Sequence, residues 1–106
     1  MPETEIIDII KKYMLLLNEA DIPVEKAFLF GSYLHNKANE DSDIDVMLVS
    51  EKFDSDGLDS KIKAWSITRK VDTRIEPYTI GLNKFFSDLS SPLLQLVKKE
   101  GFEIKI

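Results

Sequence analysis

Two aspartates, Asp43 and Asp45, stand at alternate positions where an apolar run, Ile44 to Val49, begins. In an extended strand alternate side chains share a face, so these carboxylates would project together, roughly 6–7 Å apart along the chain. Carboxylates that close repel each other, and neither ionises comfortably unless a cation sits between them. Oxygen donors, with water in the remaining positions, suit Mg²⁺ or Mn²⁺. Upstream, Gly31-Ser32 closes another apolar run, Ala27 to Phe30, and ten residues separate Ser32 from Asp43. A glycine beside an exposed N–H and a hydroxyl suits a phosphate, because the missing side chain lets the anion approach. Together these residues describe a metal–nucleotide site, with Asp43 and Asp45 on the metal and Gly31-Ser32 on the terminal phosphates.

Blander readings are weaker. Asp41-Ser42-Asp43-Ile44-Asp45 starts like a calcium loop, but Val46 stands at the turn glycine and Lys52 at the bidentate glutamate. Acids inside an apolar strand are costly to bury unpaired, which argues against a plain acidic loop. Gly31-Ser32 alone would be an ordinary turn. No GxxxxGK[ST], GxSxG or GxGxxG pattern is present, which leaves P-loop, hydrolase and dinucleotide readings without support.

The elements that must position these residues are legible from periodicity. Ile6, Ile10, Tyr13, Met14 and Leu17 form a helical stripe over residues 3–20, stopped at Asp21-Ile22-Pro23. Ala27–Phe30 reads as a strand covered on both faces. In the second strand, Asp43–Val49, Ile44, Val46 and Leu48 take one face; Asp43, Asp45, Met47 and Val49 take the other. Residues 50–57 read as a charged loop, and 58–70 as a helix with Leu58, Ile62 and Trp65 inward. A third strand over Val71–Tyr78 would place Asp72, Arg74 and Glu76 on one face, with Pro77 near its end or on an edge. Leu82–Phe86 suggests one helical turn. Ser91-Pro92 and Gly101 frame a helix over 92–100, and the tail FEIKI alternates like a short strand. The expected fold is therefore α/β (α+β): a small mixed sheet of three to four strands with helices packed on it, one domain over 1–106.

The stretch FLFGSYLHNKANEDSDIDVMLV resembles the DNA polymerase beta-like nucleotidyltransferase superfamily, and within it the minimal MNT-type domains. Gly31, Ser32, Asp43 and Asp45 match its Gly-Ser-x10-Asp-x-Asp pattern, and Ser42 and Ile44 complete the usual SDID. The likeness extends to the surrounding elements and covers most of the chain. It implies two-metal transfer of a nucleoside monophosphate from an NTP, ATP first, to a hydroxyl, with Mg²⁺ (or Mn²⁺) held by Asp43 and Asp45. It also implies a third carboxylate on the strand after the second helix. Glu76, deeper in that strand, is preferred there, and Asp72, at the strand's mouth, is the alternative. The resemblance further implies a helical HEPN-type partner, with the chain acting as the antitoxin of a toxin–antitoxin pair. The chain departs from the pattern at His35-Asn36, where active relatives carry Arg-Gly. A mostly neutral histidine does not replace a guanidinium on phosphate. Arg74 would either compensate or simply neutralise the neighbouring acids.

Composition bounds the alternatives. With 14 basic against 19 acidic residues, the net charge is −5 at pH 7, which argues against nucleic acid as a partner. There is no cysteine and a single histidine, His35, which removes disulfides, thiolate sites and His-rich zinc centres. No apolar run approaches the roughly 20 residues that span a bilayer, and the acidic start does not suit a signal peptide. The sequence reads as a soluble, cytoplasmic protein. Two other functions stay open: a catalytically weak module that neutralises a partner by masking it, and a homo-oligomer that binds nucleotide without transferring it.

Overall fold

A computed structural model describes residues 4–31, 42–55 and 57–105. The chain order is α1 (Thr4–Glu19), β1 (Lys26–Phe30), β2 (Ile44–Ser50), α2 (Lys52–Ser55), α3 (Gly57–Thr68), β3 (Ile75–Gly81), α4 (Leu82–Ser87), α5 (Pro92–Glu100) and β4 (Phe102–Ile104). The four strands form one mixed sheet in the order β3-β2-β1-β4. β1 runs antiparallel to both β2 and β4, while β2 and β3 are parallel. The expected fold class is the one observed.

The period-two pattern of β1 and β2 creates two cores, one on each face of the sheet. Ala27, Leu29, Ile44, Val46 and Leu48 face α1 and α3, joining Ile6, Ile10, Tyr13 and Leu17. Phe28, Phe30, Met47 and Val49 face the other way, onto Phe85, Leu94 and Val97 of α4 and α5. Asp45 shares that second face. A slip of one residue would drive the Asp45 carboxyl into the first core, on the apolar face of the sheet, where burying it is costly. The hydrophobic pattern thus fixes where the carboxylates emerge.

α1 buries the stripe expected of it. Its stop is more local than Pro23: Asp21 takes a left-handed backbone (φ 66°), and the Ile22 N–H returns to the Leu17 carbonyl at 2.9 Å, satisfying the orphan end of the helix. The Tyr13 hydroxyl, fully buried, donates to the Ala64 carbonyl at 2.7 Å and ties α1 to α3. Tyr13→Phe is expected to cost about 1 kcal/mol, read as a lower urea midpoint with an unchanged slope. An unchanged midpoint would show that the bond contributes nothing net.

Three expectations need correction. Leu58, Ile62 and Trp65 do not point inward; they are 70%, 56% and 44% exposed. The buried face of α3 is instead Ser60, Ala64, Ile67 and Thr68; apart from Ile67 these are small or polar, which lets α3 approach the sheet while Leu58, Ile62 and Trp65 stay outside. Residues 50–57 are not only loop: Ser50 is the buried end of β2 and Lys52–Ser55 make a helical turn. The third strand begins at Ile75 rather than Val71, because Asp72 and Arg74 bond to each other in the preceding turn. Pro77 does lie on an edge, since β3 is the last strand of the sheet. Ser91 caps α5 as its type and position imply, accepting from the Leu94 N–H at 3.3 Å with Pro92 following. Gly101 ends that helix with ordinary negative φ (−63°).

Candidate active site

The acids emerge where β1 ends and β2 and β3 begin. In the register, Asp45 lies opposite Phe30 on one side and opposite Glu76 on the other. Directly paired residues of neighbouring strands share a face, so Asp45 and Glu76 project side by side. Asp43, one residue before β2 and exposed, has the same parity. Gly31 follows β1 with φ +78°, a left-handed backbone that costs glycine little. A Cβ built there would overlap the Asp45 carboxylate. The glycine is therefore required twice, for its backbone and for the room it leaves over Asp45.

The electrostatics follow from this crowding. Asp45 is pushed up to about 6: partial burial is the main cause, and the Glu76 carboxyl, by charge and hydrogen bonding, and the Asp43 charge raise it further. Burial first, and like charge second, make this acid reluctant to ionise, and a divalent cation would relieve the repulsion. Asp72 is the opposite case. The Arg74 guanidinium grips both its oxygens, at 3.0 and 2.8 Å, and holds its carboxyl below the usual carboxylate range. Of the two candidates for a third acid, the structure brings Glu76 to Asp45 and leaves Asp72 in an ion pair with Arg74. Arg74 accordingly neutralises an acid outside the cluster.

Tyr78 completes the described site and escaped the sequence reading. It lies two residues beyond Glu76 on the same face, packs edge-on against Phe30 with ring centroids 5.1 Å apart, and its phenol is pushed up by burial and by the charges of Asp45, Glu76 and Asp43. Strand parity alone would have paired it with Glu76. Ser32, His35 and Asn36 lie outside the described residues. Among the described residues, no three His, Cys, Asp or Glu side chains converge closely enough to hold a metal ion as they stand. The donor set nonetheless fits a hard divalent cation: its groups are all carboxylates, two share a face in adjacent strands, and like charge helps to raise Asp45.

A four-stranded mixed sheet with paired acids beside a glycine corner defines the nucleotidyltransferase class of fold. The family model for the nucleotidyltransferase domain matches residues 7–103, and the chain belongs to that family. No curated protein matches the chain. Among solved structures, a candidate nucleotidyltransferase from Sulfolobus solfataricus superposes with a TM-score of 0.57 at 14% identity, over 76% of this chain and 70% of that one. A toxin–antitoxin structure with AMP-PNP superposes with a TM-score of 0.60 at 20% identity, over 90% of this chain and 72% of that one. These likenesses support the fold. Among the described residues no helix is long and apolar enough to cross a membrane.

Proposed function

We propose that the chain transfers a nucleoside monophosphate, AMP from ATP, to a hydroxyl on a partner protein of the helical HEPN type, as the antitoxin of a toxin–antitoxin pair. The observation that carries this reading is the pairing of Asp45 with Glu76 beside Gly31. The toxin–antitoxin neighbour with AMP-PNP supports both the nucleotide and the context. Asp43, Asp45 and Glu76 would hold Mg²⁺, which when bound supplies a lowered hydroxyl pKa and charge neutralisation at the triphosphate. Gly31 leaves space at the corner, and Ser32 would donate to the outer phosphates. The acceptor oxygen forms a bond to the α-phosphorus, the bond to pyrophosphate breaks, and the hydroxyl proton leaves toward the carboxylate side. Glu76, nearest the open edge of the sheet, faces the acceptor.

The test is label transfer from α-labelled ATP with Mg²⁺ to the protein encoded beside this chain. Labelled partner is expected; its absence, with the partner bound and ATP present, overturns the reading. Glu76→Gln should reduce transfer by roughly a hundredfold or more, since each lost 1.4 kcal/mol of transition-state stabilisation is tenfold. Asp72→Asn should leave transfer within about threefold and cost about 1 kcal/mol of stability through Arg74. The reverse ranking would move the third acid to Asp72. Masking of the partner without transfer is the second reading, favoured by His35-Asn36 standing where active relatives carry Arg-Gly. It predicts that Asp43→Asn with Asp45→Asn leaves neutralisation of the partner intact.

A further inference from the structure

Register brings the Glu76 backbone opposite Asp45, but it does not hold the side chain there. Like charge drives the two carboxylates apart. Glu76 also borders an open groove of about 780 Å³ that the exposed Leu58 and Trp65 of α3 help to line, so it has room to turn away. The hydrogen bond between the two carboxyls needs a proton on one of them, and a pair that ligates a metal cannot keep it. Holding a long side chain costs rotamer entropy, so a contact other than Asp45 has to keep Glu76 in place.

Tyr78 supplies that contact. It follows Glu76 by two residues on the same face of β3, so the two side chains start roughly 6–7 Å apart, a gap that a phenol leaning back along the strand closes. The Tyr78 hydroxyl hydrogen-bonds the Glu76 carboxylate, and because the bond favours the neutral phenol, the phenol is the donor. The ring that carries it is braced. Phe30 and Tyr78 lie on β1 and β3, with β2 between them, two strand spacings or roughly 9.5 Å apart. Their ring centroids are nevertheless only 5.1 Å apart, edge to face at 62°. The rings therefore lean together over β2. In the register Phe30 is opposite Asp45 and Tyr78 is opposite Met47, so the Tyr78 ring leans toward the acids. Phe30 is buried and immediately precedes Gly31, which ties the tyrosine to the glycine corner. We propose that Tyr78 is a positioning residue: braced on Phe30, its hydroxyl holds the Glu76 carboxylate beside Asp45, ready for a divalent cation. That Glu76 then faces an acceptor rests on the transferase reading; the hold on its carboxylate does not.

Tyr78→Phe keeps the ring and removes the hydroxyl. The readout is the Mg²⁺ concentration that gives half of the maximal thermal shift, without nucleotide. Loss of a group that orients a metal ligand costs about 10–100-fold in affinity, so this midpoint should rise at least about tenfold. Phe30→Leu keeps the hydroxyl and removes its brace, and should raise the midpoint as well. The double variant should do no worse than Tyr78→Phe alone, because one side chain acts through the other. Tyr13→Phe, the same chemical change on the opposite face of the sheet, should leave the midpoint unchanged. In label transfer, Tyr78→Phe should lower kcat roughly tenfold or more with an unchanged KM for ATP, since the phenol touches the carboxylate and not the nucleotide. An unchanged Mg²⁺ midpoint in Tyr78→Phe overturns the proposal, and so does full additivity in the double variant. AMP found on Tyr78 itself would make the hydroxyl an acceptor rather than a support, and a wild type with no Mg²⁺ shift would leave nothing to position; either result overturns the proposal too. A Mg²⁺ midpoint that rises in Tyr78→Phe, with no partner labelled by the wild type, sinks only the transferase reading. Label transfer that survives in Tyr78→Phe with a wild-type Mg²⁺ midpoint sinks only the positioning role.

Discussion

Asp45→Asn is expected to abolish transfer and, without metal, to stabilise the protein at pH 7.5 but not at pH 4. Its carboxyl titrates at about 6 in the fold, against roughly 3.9 in an unfolded chain. Between those values the folded state holds the proton that the unfolded chain has released. Stability therefore falls as pH rises from about 4 to about 6 and is level above. Two pKa units correspond to about 3 kcal/mol, but the carboxyl is partly solvated and screening reduces this to about 1–2 kcal/mol. The asparagine variant escapes that cost, so its melting temperature in EDTA at pH 7.5 should exceed the wild type's by about 5 °C or more, with the two converging at pH 4. Adding Mg²⁺ at pH 7.5 should raise the wild type and leave the variant unmoved. Transfer should fall by roughly a hundredfold or more, the effect of losing several kcal/mol of metal-borne charge stabilisation. Equal melting of both proteins at both pH values would mean that Asp45 is not crowded as the register implies.

Gly31→Val should be the most damaging single change at the corner. The φ of +78° is an outlier for a β-branched residue, worth about 1–3 kcal/mol of strain. Its Cβ would also displace the Asp45 carboxylate. A loss of about 3 kcal/mol in denaturant unfolding is expected, together with loss of the thermal shifts given by Mg²⁺ and by ATP. Gly31→Ala should cost about 1–2 kcal/mol and also weaken the ligand shifts, because even one carbon overlaps Asp45. Ser91→Ala, which removes a helix cap far along the chain, should cost about 1 kcal/mol while leaving both shifts intact. If Gly31→Val keeps its ligand shifts, the corner does not set the position of Asp45.

Much of this was legible in one dimension because the informative elements are two-sided. The alternation of Ile44, Val46 and Leu48 against Asp45, Met47 and Val49 survives unchanged as the two cores, and α1 buries its own stripe. Gly31 was marked by the motif, and a third acid at Glu76 or Asp72 by the resemblance; that Glu76 lies opposite Asp45 is set by the register of β2 and β3, which parity within one strand does not give. α3 was misread because amphipathic spacing shows that a stripe exists, not what covers it. Leu58, Ile62 and Trp65 have the spacing of a core face, but the small residues Ser60 and Ala64 pack closer to the sheet. The start of β3 was misplaced because Asp72 and Arg74 alternate like a strand face. Their mutual hydrogen bonds, a local competitor to the ladder, hold them in a turn instead.

Pro77 has a consequence for how the protein behaves in a crowded solution. A mixed sheet with open rims is a template on which other chains can stack and grow into fibres. Here one rim carries a residue that cannot contribute to such growth, and the other, β4, is three residues long with its Glu103 drawn to Lys26 at 3.7 Å. Neither rim offers a long, uncharged run to copy, so the folded chain has a built-in resistance to end-on polymerisation even while it displays apolar side chains beside β3.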